Sequence, residues 1–454
     1  MLTRRRFTQL GAMASASLAL NSTTLAAQPT HPPDITLDIA PFLFEASPKH
    51  RIQTIAYNSQ VPGPLLRMKQ GRPVTVDIHN RTADPEVVHW HGLYLPSEVD
   101  GAMEEGTPMI APGGSTRIAF TPDPAGFRWF HTHTSAGKDL RKGQYSGLHG
   151  FLMIEPNSPA AQPQRYDREF FLALHDWEGR EMASDDGSMM PQYEFSTVNG
   201  KMLGFGEPLQ VKQGERVMLH ILNSSPTEVH WVALAGHTFR VIALDGNAVP
   251  LPRTVSMLRL GPAERVSAIV DMSNPGIWVL GEVRKHIQAA GMGIVIEYAH
   301  SSGKAKWLQP PDLVWDYLQF AESTPSSQHD ENVISIPLAF ASKFRGHGNP
   351  EQWMINGRPY PENGPVSLRR GQRYRLELNN HSTDDHPIHL HRHTFQLRSI
   401  GATATSGLLK DVIVVPAKEQ VHVDFTANNP GDTLFHCHQQ DHMDNGFMML
   451  FRYA

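Results

Sequence analysis

At 454 residues and 50.6 kDa the chain is too long for one ordinary hydrophobic core, and about 150 residues per domain predicts roughly three domains. Charged residues at 19% and hydrophobic residues at 40%, with 36 Gly and 35 Pro, suit a soluble, turn-rich β protein and exclude collagen, coiled-coil and membrane-bundle classes. A net charge of −5 offers nucleic acid no basic surface, and a single Cys excludes an intramolecular disulfide framework.

Residues 1–27 read as a segment apart. Thr3-Arg4-Arg5-Arg6-Phe7 precedes an apolar, small-residue run from Gly11 to Leu20 and small residues at Ala26 and Ala27, an order that resembles a twin-arginine export signal. The resemblance implies passage through the twin-arginine machinery and a periplasmic mature chain. Removing the segment takes away three Arg and no acid, so the formal charge moves from −5 to −8. No later stretch approaches the 18 or so apolar residues of a membrane span.

The remainder is a threefold repeat. Lys69-Gln70-Gly71 runs to Asn80, Lys212-Gln213-Gly214 to Asn223 and Arg369-Arg370-Gly371 to Asn380, nine residues from Gly to Asn each time. Alternating stretches lie between them, such as Val74-Thr75-Val76-Asp77-Ile78, which is the period-two pattern of a half-buried strand after a Gly turn. The glycines recur after 143 and 157 residues, a domain-sized interval. Short apolar strands punctuated by Val61-Pro62-Gly63-Pro64, Asn199-Gly200 and Asn356-Gly357 predict an all-β fold of Greek-key β-sandwiches. The expected divisions are 28–158, 159–300, a connection over 301–332 with a short helix around Val314 to Phe320, and 333–454.

Histidine spacing carries the chemistry. Among 25 His, about 1.4 His-x-His pairs are expected by chance, but five occur: His89/His91, His131/His133, His389/His391, His391/His393 and His436/His438. On a strand, residues two apart share a face, so each pair can offer two imidazoles to one metal ion. Imidazole suits copper, zinc, iron or nickel, so spacing alone names no metal.

Cys437 narrows the choice. Lying between His436 and His438, it faces the opposite side of an extended segment from both, so one strand can serve two sites. His386 and His442 are its natural companions, and a His2Cys set with a weak or absent axial ligand is the geometry of blue electron-transfer copper. Structural zinc prefers a closed tetrahedron of four ligands, which a lone Cys among many His fits poorly.

Taken together, His89-Trp90-His91-Gly92, Phe130-His131-Thr132-His133, His386-Pro387-Ile388-His389-Leu390-His391 and His436-Cys437-His438 with His442 resemble, in order, the four copper motifs of three-domain multicopper oxidases, the laccase and copper-efflux-oxidase family. The resemblance implies three cupredoxin-like domains and four copper ions per chain. By position, His386, Cys437 and His442 would bind type 1 copper, and His89 and His389 type 2. His91, His131 and His438 would bind one type 3 ion, and His133, His391 and His436 the other. The middle repeat carries Ala233 and Ala235 opposite His389 and His391, so it is expected to bind no copper, and His237 and His393 are expected to be structural.

The family's chemistry implies single-electron oxidation of a reductant at type 1 copper, relay through Cys437, and reduction of dioxygen to water. Asp100, in Glu98-Val99-Asp100-Gly101, resembles the family's proton-supplying acid. Phe447, ten residues after Cys437, stands at the axial position and cannot ligate, which should raise the type 1 potential. Met443 replaces an acid found in many bacterial relatives, leaving a second proton-relay acid without a candidate. The 18 Met are dispersed, and the small group Met182, Met189, Met190 and Met202 is read as core filler. The expected reductant is therefore a phenol or aromatic amine; Asp384 and Asp385 precede His386 near its entry point, where they read first as turn acids in a solvated loop and second as acceptors of a phenolic proton. The alternatives are cuprous-ion oxidation, or a non-enzymatic copper-binding or cell-division-associated cupredoxin protein.

Overall fold

The computed structural model describes residues 31–157, 165–183, 187–311, 315–323 and 332–454; the export signal expected over 1–27 lies outside them. From Ile35 onward the described residues form three successive pairs of β-sheets, cupredoxin-like sandwiches in which each sheet buries one face against its partner, and one separate two-stranded hairpin. The first pair has two four-stranded sheets, the second a six- and a five-stranded sheet, and the third a seven- and a five-stranded sheet. Among the described residues no helix is long and apolar enough to cross a membrane. The short helix expected near Val314 to Phe320 is a 3-10 turn over Tyr317–Phe320, with Asp316 accepting from the Leu318 N–H at 2.9 Å; Val314 lies outside the described residues.

The repeat has a physical cause at each end. Gly71, Gly214 and Gly371 adopt φ of 70°, 85° and 79°, the left-handed region that favours glycine. Nine residues on, Asn80, Asn223 and Asn380 end their strands as buried staples. The Nδ2 of each donates across the following turn, to Asp84 O, Glu228 O and Asp384 O at 2.8 Å in all three. Each Oδ1 accepts from the backbone N–H two residues ahead, at 2.9 Å. An amide both donates and accepts, so this position uses Asn where Asp or Leu would leave a buried backbone group unpaired.

Those staples aim the next strand. In the first domain the strand Val88–His89 pairs antiparallel with Gly126–Thr132, setting His89 opposite His131. In the third, His386–Leu390 pairs with Thr433–Cys437, setting His389 opposite His436 and Ile388 opposite Cys437. A helical turn, Gln440–Asp444, then returns His442 towards Cys437.

Candidate metal centre

The strand alternation expected around Cys437 is realised. Its Sγ lies 3.8 Å from His386 Nδ1 and 3.6 Å from His442 Nδ1, while His436 Nε2 approaches His391 Nε2 at 3.1 Å on the other side. Three sets of three side chains each bring their donor atoms within 4.8 Å of one another: His386, Cys437 and His442; His91, His131 and His438; and His133, His391 and His436. His89 and His389 converge to the same limit together with His91. All eleven residues are buried, and His442 is the most exposed at 7%.

Most of these rings are anchored through one nitrogen and left bare at the other. The Nδ1–H groups of His89, His131, His389 and His436 donate to the backbone oxygens of Asp100, Thr132, Asp411 and Cys437 at 2.7 to 2.9 Å. A carbonyl only accepts, so the proton sits on Nδ1 and Nε2 keeps its lone pair. His391 donates from Nδ1 to Asp100 Oδ2 at 2.9 Å, and His91 donates from Nε2 to Asp411 Oδ1 at 3.1 Å. The opposite nitrogens of His89, His91, His131 and His389, and Nε2 of His133, are buried without a hydrogen-bond partner. Buried unpaired acceptors converging in threes are costly unless something binds them, and neutral imidazoles with one nitrogen oriented by the protein are what a transition metal takes.

Electrostatics agree. Burial, reinforced by neighbouring imidazoles, pushes His91, His131, His391, His436 and His438 well below the usual histidine range and His133 and His389 to about 3; burial alone holds His442 at about 3. These rings are neutral and ready to ligate. Burial raises the Cys437 thiol, so a metal must displace its proton, as thiolate ligation requires. The donor set fits copper: imidazoles with one thiolate, and no second sulfur at hand for a closed tetrahedral zinc site.

Apolar side chains wall the Cys437 set. The ring of Phe447 lies 4.8 Å from that of His386, and Trp353 lies 4.0 Å from His442. Cys437 N–H donates to Phe447 O at 3.1 Å. Met448 faces His436 across the strand pair and so points away from Cys437, as alternation predicts.

Several residues near the site are not visible in the motifs. Glu105 lies with Oε1 3.4 Å from His391 Nδ1 beside Asp100, and its carboxyl is held well above the usual range by burial and then by the Asp100 charge. Asp411 accepts from His91 and is held at about 2: burial would raise it, but Arg265 and Arg128 overcome that. Neither acid carries a local spacing signal.

Other expectations fare differently. His237 and His393 are hydrogen-bonded at both nitrogens, to a backbone oxygen and to Tyr298 or Tyr453, as structural residues should be. Asp385 is committed elsewhere, pairing with Arg259 at 2.5 Å and accepting from Ala417 N–H at 2.9 Å. Met182 and Met190 are not core filler: they oppose each other across the hairpin of Arg180–Ala183 and Met189–Gln192 and are 48% and 46% exposed. Among the described residues the two strands form a sheet of their own, and both side chains stay open to solvent.

Sequence profiles described as multicopper oxidase match residues 44–159, 169–296 and 336–454, together most of the chain. The multicopper oxidase MmcO of Mycobacterium tuberculosis is 29% identical over 434 residues, covering 87% of this chain and 82% of that protein. Among solved structures, a multicopper oxidase from Pseudomonas thermotolerans superposes with a TM-score of 0.72 at 26% identity, covering 92% of this chain and 98% of the other. The laccase of Botrytis aclada gives 0.74 at 21% identity, covering 92% and 88%. Converging bare imidazoles, a thiolate facing the other way and matches along three consecutive domains lead to one conclusion: this chain belongs to the multicopper oxidase family, whose members are copper-dependent oxidoreductases that pass electrons from a reductant to dioxygen.

Proposed function

We propose that the protein is a laccase-like oxidase holding four copper ions: type 1 on His386, Cys437 and His442; type 2 on His89 and His389; and a type 3 pair on His91, His131 and His438 and on His133, His391 and His436. When bound, copper supplies one-electron redox chemistry at the first site and four-electron, four-proton reduction of dioxygen to two waters at the cluster. The observation that carries the reading is the back-to-back arrangement of Cys437 and its two flanking histidines. With copper bound, His442, the most exposed of these side chains, would face the reductant, and Cys437 would link that site to His436 and His438 through the backbone bonds to its two neighbours.

A cavity of about 240 Å³ opens beside the turn carrying His442, lined in part by Leu140, Met189, Pro191, Glu181, Asp441 and Asp444. Its wall mixes apolar groups with three acids and with the bases Lys138 and Arg345, and the carboxylates suit a small aromatic reductant that gives up a proton with its electron. At the cluster, Asp100 orients His391 through Oδ2 and His89 through its backbone oxygen, and Glu105 lies next to it. We assign proton supply to Asp100, with Glu105 as the second acid. Asp100→Asn is expected to keep the blue absorbance and slow oxygen reduction about 100-fold; single-turnover reoxidation by oxygen measures it.

The test of the whole reading is to load the protein with copper and measure oxygen uptake with a phenol, cuprous ion and ferrous ion, using copper-free protein as control. Turnover of the phenol is expected. Uptake with cuprous ion alone would favour a second reading, metal oxidation, which the exposed pair Met182 and Met190 and the cavity residue Met189 recommend. Copper binding without uptake on any donor would leave a binding or storage protein. Export by the twin-arginine route to the periplasm, resting on Arg4 and Arg5, belongs to the same proposal, as do domain limits at 28–158, 159–300 and 333–454.

A further inference from the structure

His91 is held differently from the rings around it. His89, His131, His389 and His436 all donate from Nδ1 to backbone oxygens, but His91 donates from Nε2 to the side chain of Asp411 and is left with Nδ1 bare. Both its tautomer and the direction of its lone pair therefore depend on where one carboxylate sits.

Asp411 is fully buried and gripped from two sides. Arg265 reaches both oxygens, Nη1 to Oδ1 and Nη2 to Oδ2, each at 2.6 Å, and Arg128 Nη1 adds a contact to Oδ2 at 3.0 Å. Arg265 starts the strand Arg265–Asp271 of the middle domain. Its backbone N–H donates to Asp245 Oδ1 at 3.0 Å, and its guanidinium also donates to Ala263 O at 2.9 Å and Asp245 O at 3.2 Å. Asp245 pairs in turn with Lys410 at 2.8 Å. The network thus joins the first domain through Arg128, the middle one through Asp245 and Arg265, and the third through Lys410 and Asp411.

The turn after His91 is shaped to this network. A Cβ on Gly92 would lie 2.6 Å from Asp411 Oδ2 and 3.2 Å from Arg265 Nη2, and Gly92 has φ +83°, so only glycine lets the backbone pass there. A two-pronged guanidinium fixes the plane of a carboxylate as well as its charge, which an ammonium does not.

We infer that Arg265 is a positioning residue of the oxygen-reducing site: the middle domain, with alanines where the third has His389 and His391, supplies the fork that holds Asp411 and, through it, the nitrogen His91 offers to copper. The inference rests on the reading of His91 as a cluster ligand.

The test compares Arg265→Met and Arg265→Lys with the unaltered protein, all copper-loaded. Copper per chain, the blue thiolate-to-copper band, the paramagnetic resonance of type 2 copper and copper loss to a competing chelator are measured. Arg265→Met is expected to keep the blue band, because His386, Cys437 and His442 do not touch the network. Its cluster copper should be held roughly 10- to 100-fold less tightly with an altered type 2 signal. Arg265→Lys, which keeps the charge but loses the fork, should fall between. Unchanged retention and resonance in folded Arg265→Met overturns the inference, as does equal loss from both copper sites. If Arg265→Met does not fold, Arg265→Lys decides on the same criteria. His91→Ala separates the two claims: full cluster copper in that variant sinks the ligand reading, whereas loss there with retention in Arg265→Met sinks only the positioning role.

Discussion

The strand His230–Leu234 of the middle domain and the strand His386–Leu390 of the third lie between equivalent neighbours in sheets of the same order. Val232 faces Glu282 as Ile388 faces Cys437. Glu282 N–H donates to Met292 O as Cys437 N–H donates to Phe447 O, both at 3.1 Å, and Met292 N–H reaches Ile287 O as Phe447 N–H reaches His442 O. By this register His230 stands for His386, Glu282 for Cys437, Ile287 for His442 and Met292 for Phe447. In the third domain His386 faces a thiol and burial lowers its pKa, leaving a neutral ring with Nδ1 towards Sγ. In the middle domain His230 lies between Glu282 Oε2 at 3.1 Å and Asp176 Oδ2 at 2.8 Å. Burial would push that ring down, yet the two carboxylates hold it up at about 10, so both nitrogens carry protons. One scaffold position therefore hosts a neutral imidazole facing a thiol in one copy and a buried ion triad in the other; the backbone does not choose between them, and the side chain opposite does.

Cys437 sets the third domain apart from the middle one more than any other side chain. Cys437→Ser is expected to abolish the blue absorbance and reductant-dependent oxygen uptake while cluster copper stays bound, read by absorption and metal content. The reciprocal change, Glu282→Gln, should leave colour and turnover intact but cost about 3–5 kcal/mol of stability, because it removes one partner of a buried ion pair. A denaturant midpoint equal to that of the unaltered protein would end the ion-triad account.

A gentler probe is pH. The raised pKa of His230 means its contribution is complete below the usual histidine value of 6.5 and is lost as pH climbs towards about 10. Asp176 and Glu282 are both held at about 2 against the opposing effect of burial, so they stay ionised across that window. Stability of the copper-free protein should thus fall between pH 7 and 10, and less steeply in Glu282→Gln. The smallest effect is expected at the axial position. Phe447→Met should lower the type 1 potential modestly by adding a weak thioether donor, and the burial of Met292 at the equivalent place indicates that the fold accommodates that side chain. Redox titration of the blue band checks the sign.

Local pattern determined the all-β class, the threefold repeat and the His-x-His pairs, because a period of two in a strand decides which residues share a face without reference to anything distant. Cys437 set against His436 and His438 is legible for that reason. The grouping of all eleven donors, by contrast, came from the resemblance of the motifs to a family, and His442 sits on a helical turn that alternation does not reach. What only the tertiary structure decided are contacts between residues far apart along the chain, Asp411 against His91 and Arg265, Glu105 beside His391 and Asp385 tied to Arg259, together with the exposure of Met182 and Met190 on their hairpin. A carboxylate in sequence gives no sign of whether a guanidinium more than a hundred residues away will reach it. That depends on how three sandwiches dock, and it is their docking that buries the charges which orient the converging imidazoles.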